Sequence, residues 1–300
     1  MKHVSVIGLG QMGSRIAALF LQGNLSVHIW NRTQAKAKPL IEAGAIFADT
    51  AADAIKQSEI VVMCVRDYEA AMDILDTEQI HAELPGKLFV QLTTGSPEDA
   101  ESAYQFMTQH SAGYLDGAIQ VAPEQMGMQD TTILISGSHS DYVKSSDLWR
   151  ILGGNVVYLG DSASGAATMD LATLSYVYGA SLGVFQGAAL AEAGGLDIGV
   201  YGSIVQTMSA SFGDFLKHET DVIAKENFTI SQSPLSISVD ATRRIENAAR
   251  KKGLNVNFPA VMATLLQEAE SVGFANEEFA ALIKVLRNPS THSGNKHLSV

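Results

Sequence analysis

HVSVIGLGQMGSRIAALFLQ, residues 3–22, joins an apolar run to an amphipathic segment through a glycine-rich turn. HVSVI predicts a buried strand, and SRIAALFLQ predicts the helix that follows it. Gly8, Gly10 and Gly13 between them form the pattern GxGxxG, which is informative only in this strand-to-helix context. The first glycine permits a tight turn, the second lets backbone approach a pyrophosphate, and the third lets helix and strand pack. The stretch therefore predicts a dinucleotide-binding unit.

Short β-branched and apolar runs recur through the first half of the chain. They are HVSVIGLG (3–10), LSVHIWNR (25–32), GAIFAD (44–49), EIVVMCV (59–65), KLFVQLTT (87–94), YLDGAI (114–119), TTILISGS (131–138) and NVVYLG (155–160). Helix-like segments separate them, which is typical of an α/β fold with a doubly wound parallel sheet. We predict a Rossmann-type domain over residues 1–161.

Helical patterns alone fill the second half, so we predict an all-helical domain over residues 162–300. The predicted helices cover 163–192, 197–218, 233–252, 258–272 and 276–287, the first being a long interdomain helix. On it, Gly179, Gly183 and Gly187 fall four residues apart and share one face. Another backbone can approach that face closely, either from a partner subunit or from a neighbouring helix of the same chain.

The amino-acid composition limits the classes of molecule that the protein is expected to bind. The chain has 300 residues, 46% of them hydrophobic, and 20 basic against 32 acidic residues give a net charge of −12. This charge argues against nucleic acid and anionic membrane surfaces as partners. The single cysteine, Cys64, lies in an apolar run, which indicates a buried thiol in a reducing compartment. We expect a cytoplasmic location.

The segment after the second predicted strand, WNRTQAKAK, indicates which dinucleotide binds. A free ribose 2′-hydroxyl would call for a carboxylate there, but the residues are donors: Asn31, Arg32, Thr33 and Lys36. Such a cluster suits the 2′-phosphate of NADPH. A solvated basic helix start is the alternative.

The remaining predicted cofactor contacts follow from position alone. They are the loop residues Gly8, Leu9, Gly10, Gln11, Met12 and Gly13, and the ends of the fourth and fifth strands, Val65, Arg66, Thr93 and Thr94. Carboxyl ends of neighbouring parallel strands meet in one crevice, where nicotinamide and ribose lie in such folds.

One acid remains as the candidate for the chemistry. Between Ser162 and Ala191 the only charged side chain is Asp170. The histidines show no HxxxH or HExxH spacing and no GxSxG is present, so we predict neither a metal site nor a serine nucleophile. Tyr176 and Tyr178 are secondary proton donors on the same helix. Alternatively, Asp170 is an N-terminal-turn acid favoured by the helix dipole.

The segments VIGLGQMGSRIA, WNRT, YLDGAIQVAPEQMG and LGDSASGAATMDLATL together resemble the β-hydroxyacid dehydrogenase superfamily, which includes 3-hydroxyisobutyrate dehydrogenase. The resemblance covers nearly the whole chain and is greater to the imine reductase branch. Hydroxyacid dehydrogenases carry a D-x-x-x-S-G-G loop and a catalytic lysine. Here Gln120 and Val121 stand at the serine and glycine positions, and the lysine position falls at Met169 or Asp170.

The absence of a lysine at this position indicates the charge of the substrate. A lysine suits an acid that exchanges a proton but repels an iminium, whereas an aspartate attracts the positive C=N group and orients it. The resemblance therefore implies an NADPH-dependent imine reductase acting on a cyclic imine or iminium, with Asp170 as electrostatic partner and candidate proton donor. The alternatives are a β-hydroxyacid dehydrogenase acting on a small 3-hydroxyacid or semialdehyde, and a non-catalytic NADPH-binding module.

The resemblance also implies a homodimer with the active site between subunits. The long helix passes between the two chains, and the second chain supplies apolar walls. Predicted substrate contacts are Gln120, Met169, Leu174, Tyr178, Met208 and Phe212, with Phe215 as a further apolar wall. A plain hydrophobic core is the alternative interpretation of the Met and Phe set.

Overall fold

The computed structural model describes residues 3–288, and the chain divides into two compact units, Met1–Tyr176 and Val177–Val300. The first unit holds an eight-stranded sheet in the order β3-β2-β1-β4-β5-β6-β7-β8. The strands are β1 (His3–Ile7), β2 (Ser26–Trp30), β3 (Ile46–Phe47), β4 (Ile60–Met63), β5 (Leu88–Gln91), β6 (Gly113–Ile119), β7 (Thr132–Gly137) and β8 (Asn155–Tyr158). All eight predicted strands are present.

Helices cover both faces of this sheet. They are α1 (Gln11–Gln22), α2 (Lys38–Glu42), α3 (Ala51–Lys56), α4 (Tyr68–Leu75), α5 (Glu78–His81), α6 (Pro97–Gln109), α7 (His139–Lys144) and α8 (Ser146–Leu152). Val4 and Val6 of β1 pack into one buried cluster, and Ile7 packs into another. Because both faces are buried, the strands are nearly continuous apolar runs. The prediction of a doubly wound α/β domain is confirmed.

One strand pair differs from the predicted parallel arrangement, since β6 and β7 are antiparallel. The connecting residues 120–131 contain only a 3₁₀ turn, Pro123–Gln125. A parallel return needs a crossover, usually a helix. With no helix in that connection, the chain reverses direction beside β6.

The helical part of the chain contains α9 (Gly165–Ala193), α10 (Ile198–Lys225), α11 (Leu235–Lys251), α12 (Asn257–Ser271) and α13 (Ile283–Leu286). The predicted helical half is confirmed, and α10 runs seven residues beyond its predicted end at 218. The compact units divide within α9, whereas the sequence boundary precedes this helix. None of the described helices is both long and apolar enough to cross a bilayer.

The predicted single helix over 276–287 is wrong. Two 3₁₀ turns, Phe274–Asn276 and Phe279–Leu282, precede the short α13. Between the turns the backbone is extended, and Glu278 N donates to Phe228 O at 2.8 Å. This tertiary contact overrides the local helical pattern.

The glycine face of α9 has two environments. A Cβ on Gly187 would lie 2.2 Å from the hydroxyl of Tyr201 in α10, so this glycine admits a neighbour of the same chain. Gly179 and Gly183 have no described atom within 4 Å of their Cβ positions. At Gly187 the approaching neighbour belongs to the same chain, whereas at Gly179 and Gly183 the surface is open to a partner subunit.

A buried carboxylate organises the end of the second unit. Glu278 is fully buried, and its oxygens accept hydrogen bonds from the N–H groups of Ser231, Gln232 and Ser233 and from the Ser231 hydroxyl. Burial by itself opposes ionisation, but these donors outweigh it and hold the pKa of Glu278 at about 2.

His218 and Glu219 lie beside this carboxylate. One ring nitrogen of His218 and one carboxylate oxygen from each of Glu219 and Glu278 lie within 4.8 Å of one another. Histidine spacing did not indicate this cluster. Glu219 accepts from Ala280 N at 2.6 Å, and His218 Nε2 lies 2.8 Å from the Ser231 hydroxyl. Burial and the neighbouring Glu278 raise the pKa of Glu219. These contacts give the cluster a structural role as a cap for the turns at 231–233 and 279–282.

Replacing Glu278 by Gln is expected to lower the free energy of unfolding at pH 7 by about 3 kcal/mol. The shift of its pKa from 4.5 to about 2 corresponds to that magnitude at about 1.4 kcal/mol per unit. Because the folded pKa is depressed, this contribution is present above pH 4.5 and lost as pH falls toward about 2. Urea unfolding across this pH range measures it.

Glu270→Gln, an exposed acid of α12, is the matched control. An equal loss of stability in both variants, or an unchanged acid dependence in Glu278→Gln, would contradict the assignment.

Candidate active site

A cavity of about 650 Å³ lies in the first unit at the carboxyl ends of β1, β2 and β4. The strand order reverses between β1 and β4, where open α/β sheets bind ligands. Its walls are formed by Gly8, Leu9, Gly10, Gln11, Met12, Gly13, Trp30, Asn31, Arg32, Thr33, Lys36, Cys64, Val65, Arg66, Ala70, Asp73 and Ile74. Most of the predicted cofactor contacts are therefore brought together on one surface.

The three glycines of the turn meet different surroundings. Gly8 has φ +98°, and a Cβ there would lie 2.2 Å from Cys64 O at the end of β4. A Cβ on Gly13 would lie 2.1 Å from Gly8 O. Gly10 is different, since its Cβ position meets no described atom within 4 Å. The turn thus packs tightly behind Gly8 and Gly13 and leaves open space at Gly10, at the uncapped N-terminus of α1.

The predicted cluster of phosphate-binding donors lies at the cavity, but the side-chain amide of Asn31 already hydrogen-bonds to the protein backbone. Its Oδ1 accepts from Leu9 N at 2.9 Å, and its Nδ2 donates to Thr33 O at 2.9 Å. This amide therefore ties the glycine-rich turn to the end of β2. Arg32 and Lys36 are exposed at the rim, and neither has an ion-pair partner among residues 3–288. Their positive charge is available to an anion.

Thr93 and Thr94 do not line the cavity. Thr93 is buried, and its hydroxyl accepts from Val65 N at 3.0 Å, which fixes the end of β4 against that of β5. Thr93 therefore supports Val65, which lines the cavity, and the predicted contact of both threonines with the cofactor stays a prediction. Thr94 is exposed.

Five residues that line the cavity were not among the predicted cofactor contacts. They are Trp30, Cys64, Ala70, Asp73 and Ile74. The last three sit at i, i+3 and i+4 on α4, so helical spacing from the Val65 loop was a usable signal. Burial raises the pKa of the Cys64 thiol to about 11, which leaves it a poor nucleophile.

Asp170 is nearly buried, with 7% of its surface exposed. Its Oδ1 accepts from Gln120 Nε2 at 2.6 Å, while Oδ2 accepts no hydrogen bond from the described residues. Thr173 donates to Gln120 Oε1 at 2.9 Å and so fixes the amide orientation. The arrangement holds one oxygen of a carboxylate and leaves the other available.

This geometry adds to one expectation and changes another. Gln120, a predicted substrate contact, bonds through its amide to Asp170 and Thr173 and so also supports the acid; its contact with substrate stays a prediction. Asp170 is the sixth residue of α9, so it lies beyond the first turn that the helix-dipole alternative requires. Thr173 was missed, although its spacing of three from Asp170 was visible.

The apolar residues predicted around Asp170 differ in position. Met169 is exposed, and Leu174 is half-buried on α9. Tyr178, Met208 and Phe212 belong to the second unit, where 66%, 59% and 47% of their surfaces are exposed. Phe212 stacks on Phe215 with ring centroids 6.2 Å apart. These exposures disagree with a plain buried core at Met208 and Phe212.

The chain matches known proteins over nearly its whole length. The profile described as the NAD binding domain of 6-phosphogluconate dehydrogenase matches residues 3–160. The profile described as the C-terminal domain of NADPH-dependent reductive aminase-like proteins matches residues 163–288. An NADPH-dependent reductive aminase from Aspergillus oryzae is 30% identical, over 95% of this chain and 97% of its own length. The chain belongs to the imine reductase and reductive aminase family.

Solved structures of the imine reductase and reductive aminase family share the whole fold. An imine reductase from Myxococcus stipitatus in complex with NADP+ has a TM-score of 0.89 and 29% identity, covering 96% of this chain and all of that one. A reductive aminase from Aspergillus terreus in complex with NADPH and ethyl-5-oxohexanoate has a TM-score of 0.85 and 28% identity, with the same coverage.

Proposed function

We propose that the chain is an NADPH-dependent imine reductase that converts a cyclic imine or iminium to an amine. The observation that carries the proposal is Asp170, a nearly buried carboxylate held through one oxygen by Gln120. A buried negative charge with an available oxygen attracts a cation and repels a carboxylate substrate. A lysine at this place would have the opposite preference. NADPH, when bound, supplies the hydride to the carbon of the C=N bond.

The cavity fits this cofactor. Open space at Gly10 and the uncapped start of α1 suit a pyrophosphate, because N–H groups and the helix dipole favour an anion there. Arg32, Thr33 and Lys36 stand at the rim, where they would hold the 2′-phosphate. In a chain of net charge −12, two cations without ion-pair partners in the described region are well suited to a dianion.

Asp170 would act in two ways. Its charge orients the iminium nitrogen, since positioned charge in a desolvated site is worth more than in water. A neutral imine needs one proton at nitrogen, which the acid form of Asp170 would donate through its free oxygen, leaving the carboxylate beside the iminium. An iminium substrate needs no proton, because accepting the hydride at carbon already gives a neutral amine. Gln120 keeps the other oxygen fixed, so the carboxylate does not rotate away. Met169, Leu174 and Tyr178 remain proposed substrate contacts.

The proposed function is tested by following NADPH absorbance with the purified protein. We expect NADPH to be oxidised when a cyclic imine such as a pyrroline is added. We expect no reduction of NAD+ when 3-hydroxyacids are added. Hydroxyacid oxidation without imine reduction would identify a β-hydroxyacid dehydrogenase. Tight NADPH binding by fluorescence without turnover of imines, ketone and amine mixtures or hydroxyacids would indicate a non-catalytic module.

Asp170→Asn should lower kcat/KM for a cyclic iminium about 100-fold, a loss of the size seen when one preorganised electrostatic group is removed. The amide oxygen can still accept from Gln120, so the melting temperature should hold. Ser175→Ala, an exposed change on the same helix, is the control. Near-wild-type turnover in Asp170→Asn and Asp170→Ala would refute the role of this acid.

Arg32→Ala should raise KM for NADPH about tenfold or more, because a hydrogen bond between charged groups is worth about 1.5–3 kcal/mol. The KM for NADH should change less than about twofold, since NADH has no 2′-phosphate. Lys38→Ala, a nearby exposed cation that does not line the cavity, controls for general charge. Equal effects on the two cofactors would exclude phosphate binding by Arg32.

We further propose a homodimer with the active site between subunits. Of the 29 residues of α9, the buried ones are Ala166, Ala167 and Asp170. Large apolar side chains beyond them are exposed, including Leu182 and Phe185. Contiguous exposed apolar surface marks an interaction site. A second copy covering this face would bring its own Met208 and Phe212 to the substrate, as the family resemblance implies.

Phe185→Glu is expected to convert the dimer to a monomer and to abolish imine reduction, because a charge cannot be buried unpaired at such an interface. Light scattering after size exclusion measures the mass. Val143→Glu on α7, a residue 54% exposed in the first unit, should leave both unchanged. A fully active monomer, in the variant or the wild type, would contradict a shared active site.

Two assignments complete the proposal. Residues 1–161 bind NADPH, and residues 162–300 contribute substrate contacts and dimerisation. A cytoplasmic location is in keeping with the single cysteine, Cys64.

A further inference from the structure

Three buried polar side chains form a cluster in the first unit that the proposed chemistry does not use. Asp116, on β6, is 2% exposed. Its Oδ1 accepts from the Tyr68 hydroxyl at 2.5 Å and lies 3.5 Å from the Tyr114 hydroxyl. The two tyrosine hydroxyls are 3.2 Å apart. Burying a carboxylate costs free energy unless hydrogen bonds or an opposite charge compensate it, so the contacts of this cluster indicate a role in the protein.

The second oxygen of Asp116 reaches the start of α9. It accepts from Ala167 N at 3.2 Å, while Ala166 N donates to the Ser136 hydroxyl of β7 at 2.8 Å. The first N–H groups of a helix have no acceptor within the helix. Here two of them are satisfied by buried side chains of adjacent strands, which fixes the start of α9 on the sheet.

Asp170 lies one turn further along the same helix. Residues three apart share a helix face and are separated by about 4.5 Å along the axis. Gln120, directly after β6, holds Asp170 itself. One strand therefore controls α9 at two points, through Asp116 at Ala167 and through Gln120 at Asp170.

Tyr68 connects the cluster to the cofactor cavity. It is the first residue of α4, directly after Asp67, which caps that helix by accepting from Ala70 N at 2.8 Å. Arg66 and Ala70 both line the cavity. The ring of Tyr68 also packs on Gly95, where a Cβ would lie 2.3 Å from it. A displacement of Tyr68 would therefore move a cavity wall.

We propose that Tyr68 and Asp116 are a positioning pair that ties the start of α9 to the β4–α4 loop and so sets the place of Asp170 relative to the cofactor cavity. This inference rests on the proposed function. The pair touches neither substrate nor cofactor and acts through the helix. Its effect falls on turnover, because small displacements of a reacting group cost much more in rate than in binding.

The charge of Asp116 makes the pair sensitive to pH. Burial raises the pKa of Asp116 to about 6, and hydrogen bonds from Tyr68, Ala167 N and Tyr114 oppose that rise. Among the described residues, Asp99 is a further charged group that acts on the cluster, through Tyr68. Protonation of Asp116 removes one acceptor and weakens its hold on the two segments. Removing the Tyr68 hydroxyl raises the pH at which this happens.

Tyr68→Phe tests the proposal, because it removes the hydroxyl and keeps the ring on Gly95. We expect kcat for a cyclic imine to fall about tenfold, with KM for NADPH within about twofold. The acid limb of the kcat profile should move up by about one unit. Asp116→Asn should lower kcat similarly and remove that limb. Tyr104→Phe, an exposed tyrosine of α6, should behave as wild type.

Other outcomes would overturn the proposal. A lowered melting temperature with unchanged kcat and pH profile in Tyr68→Phe would make the pair merely structural. A change confined to KM for NADPH would place it in cofactor binding. If Asp116→Asn does not fold, Tyr68→Phe decides alone. Failure of the proposed function is distinguishable, since it appears in the wild type as absence of imine reduction.

Discussion

The close approach of three backbone segments at the glycine-rich turn is the constraint on which the first unit depends. The end of β4 comes so near Gly8 that a Cβ would touch Cys64 O, and Gly8 O comes equally near Gly13. No side chain fits at either place. Because β1, α1 and β4 are locked together there, the cavity has a rigid back wall, and the loops that carry polar residues are arranged around it.

Three buried acids differ in their hydrogen bonding and in the role that follows from it. Glu278, Asp116 and Asp170 are all buried, and each is paired differently. Glu278 is surrounded by N–H donors that stabilise its charge, so it serves the fold. Asp116 receives fewer donors, and burial raises its pKa to about 6. Asp170 is bonded through one oxygen and keeps the other available. Among these three acids, the structural carboxylate of Glu278 accepts the most hydrogen bonds, and Asp170, the acid proposed for the chemistry, accepts the fewest.

Local patterns predicted much of this protein. Alternating apolar runs located all eight strands, and the spacing of Gly8, Gly10 and Gly13 located the cavity, since both depend on neighbouring residues only. Long-range pairings were out of reach. The hydrogen bond of Gln120 joins residues 50 apart, and that of Glu278 joins residues up to 47 apart. Such contacts leave no periodic trace, which explains why the support that Gln120 gives to Asp170 and the broken helix near 278 were not predicted.

Cys64 has a practical consequence for handling the protein. It is the chain's single cysteine, and its thiol pKa of about 11 means that roughly one molecule in ten thousand carries the thiolate at neutral pH. The thiolate is the form that alkylating reagents and peroxides attack. With the sulfur in the wall of the cavity, a bound dinucleotide would shield it further. Cys64 of the folded protein is therefore expected to react slowly with such reagents, and more slowly still when a dinucleotide is bound.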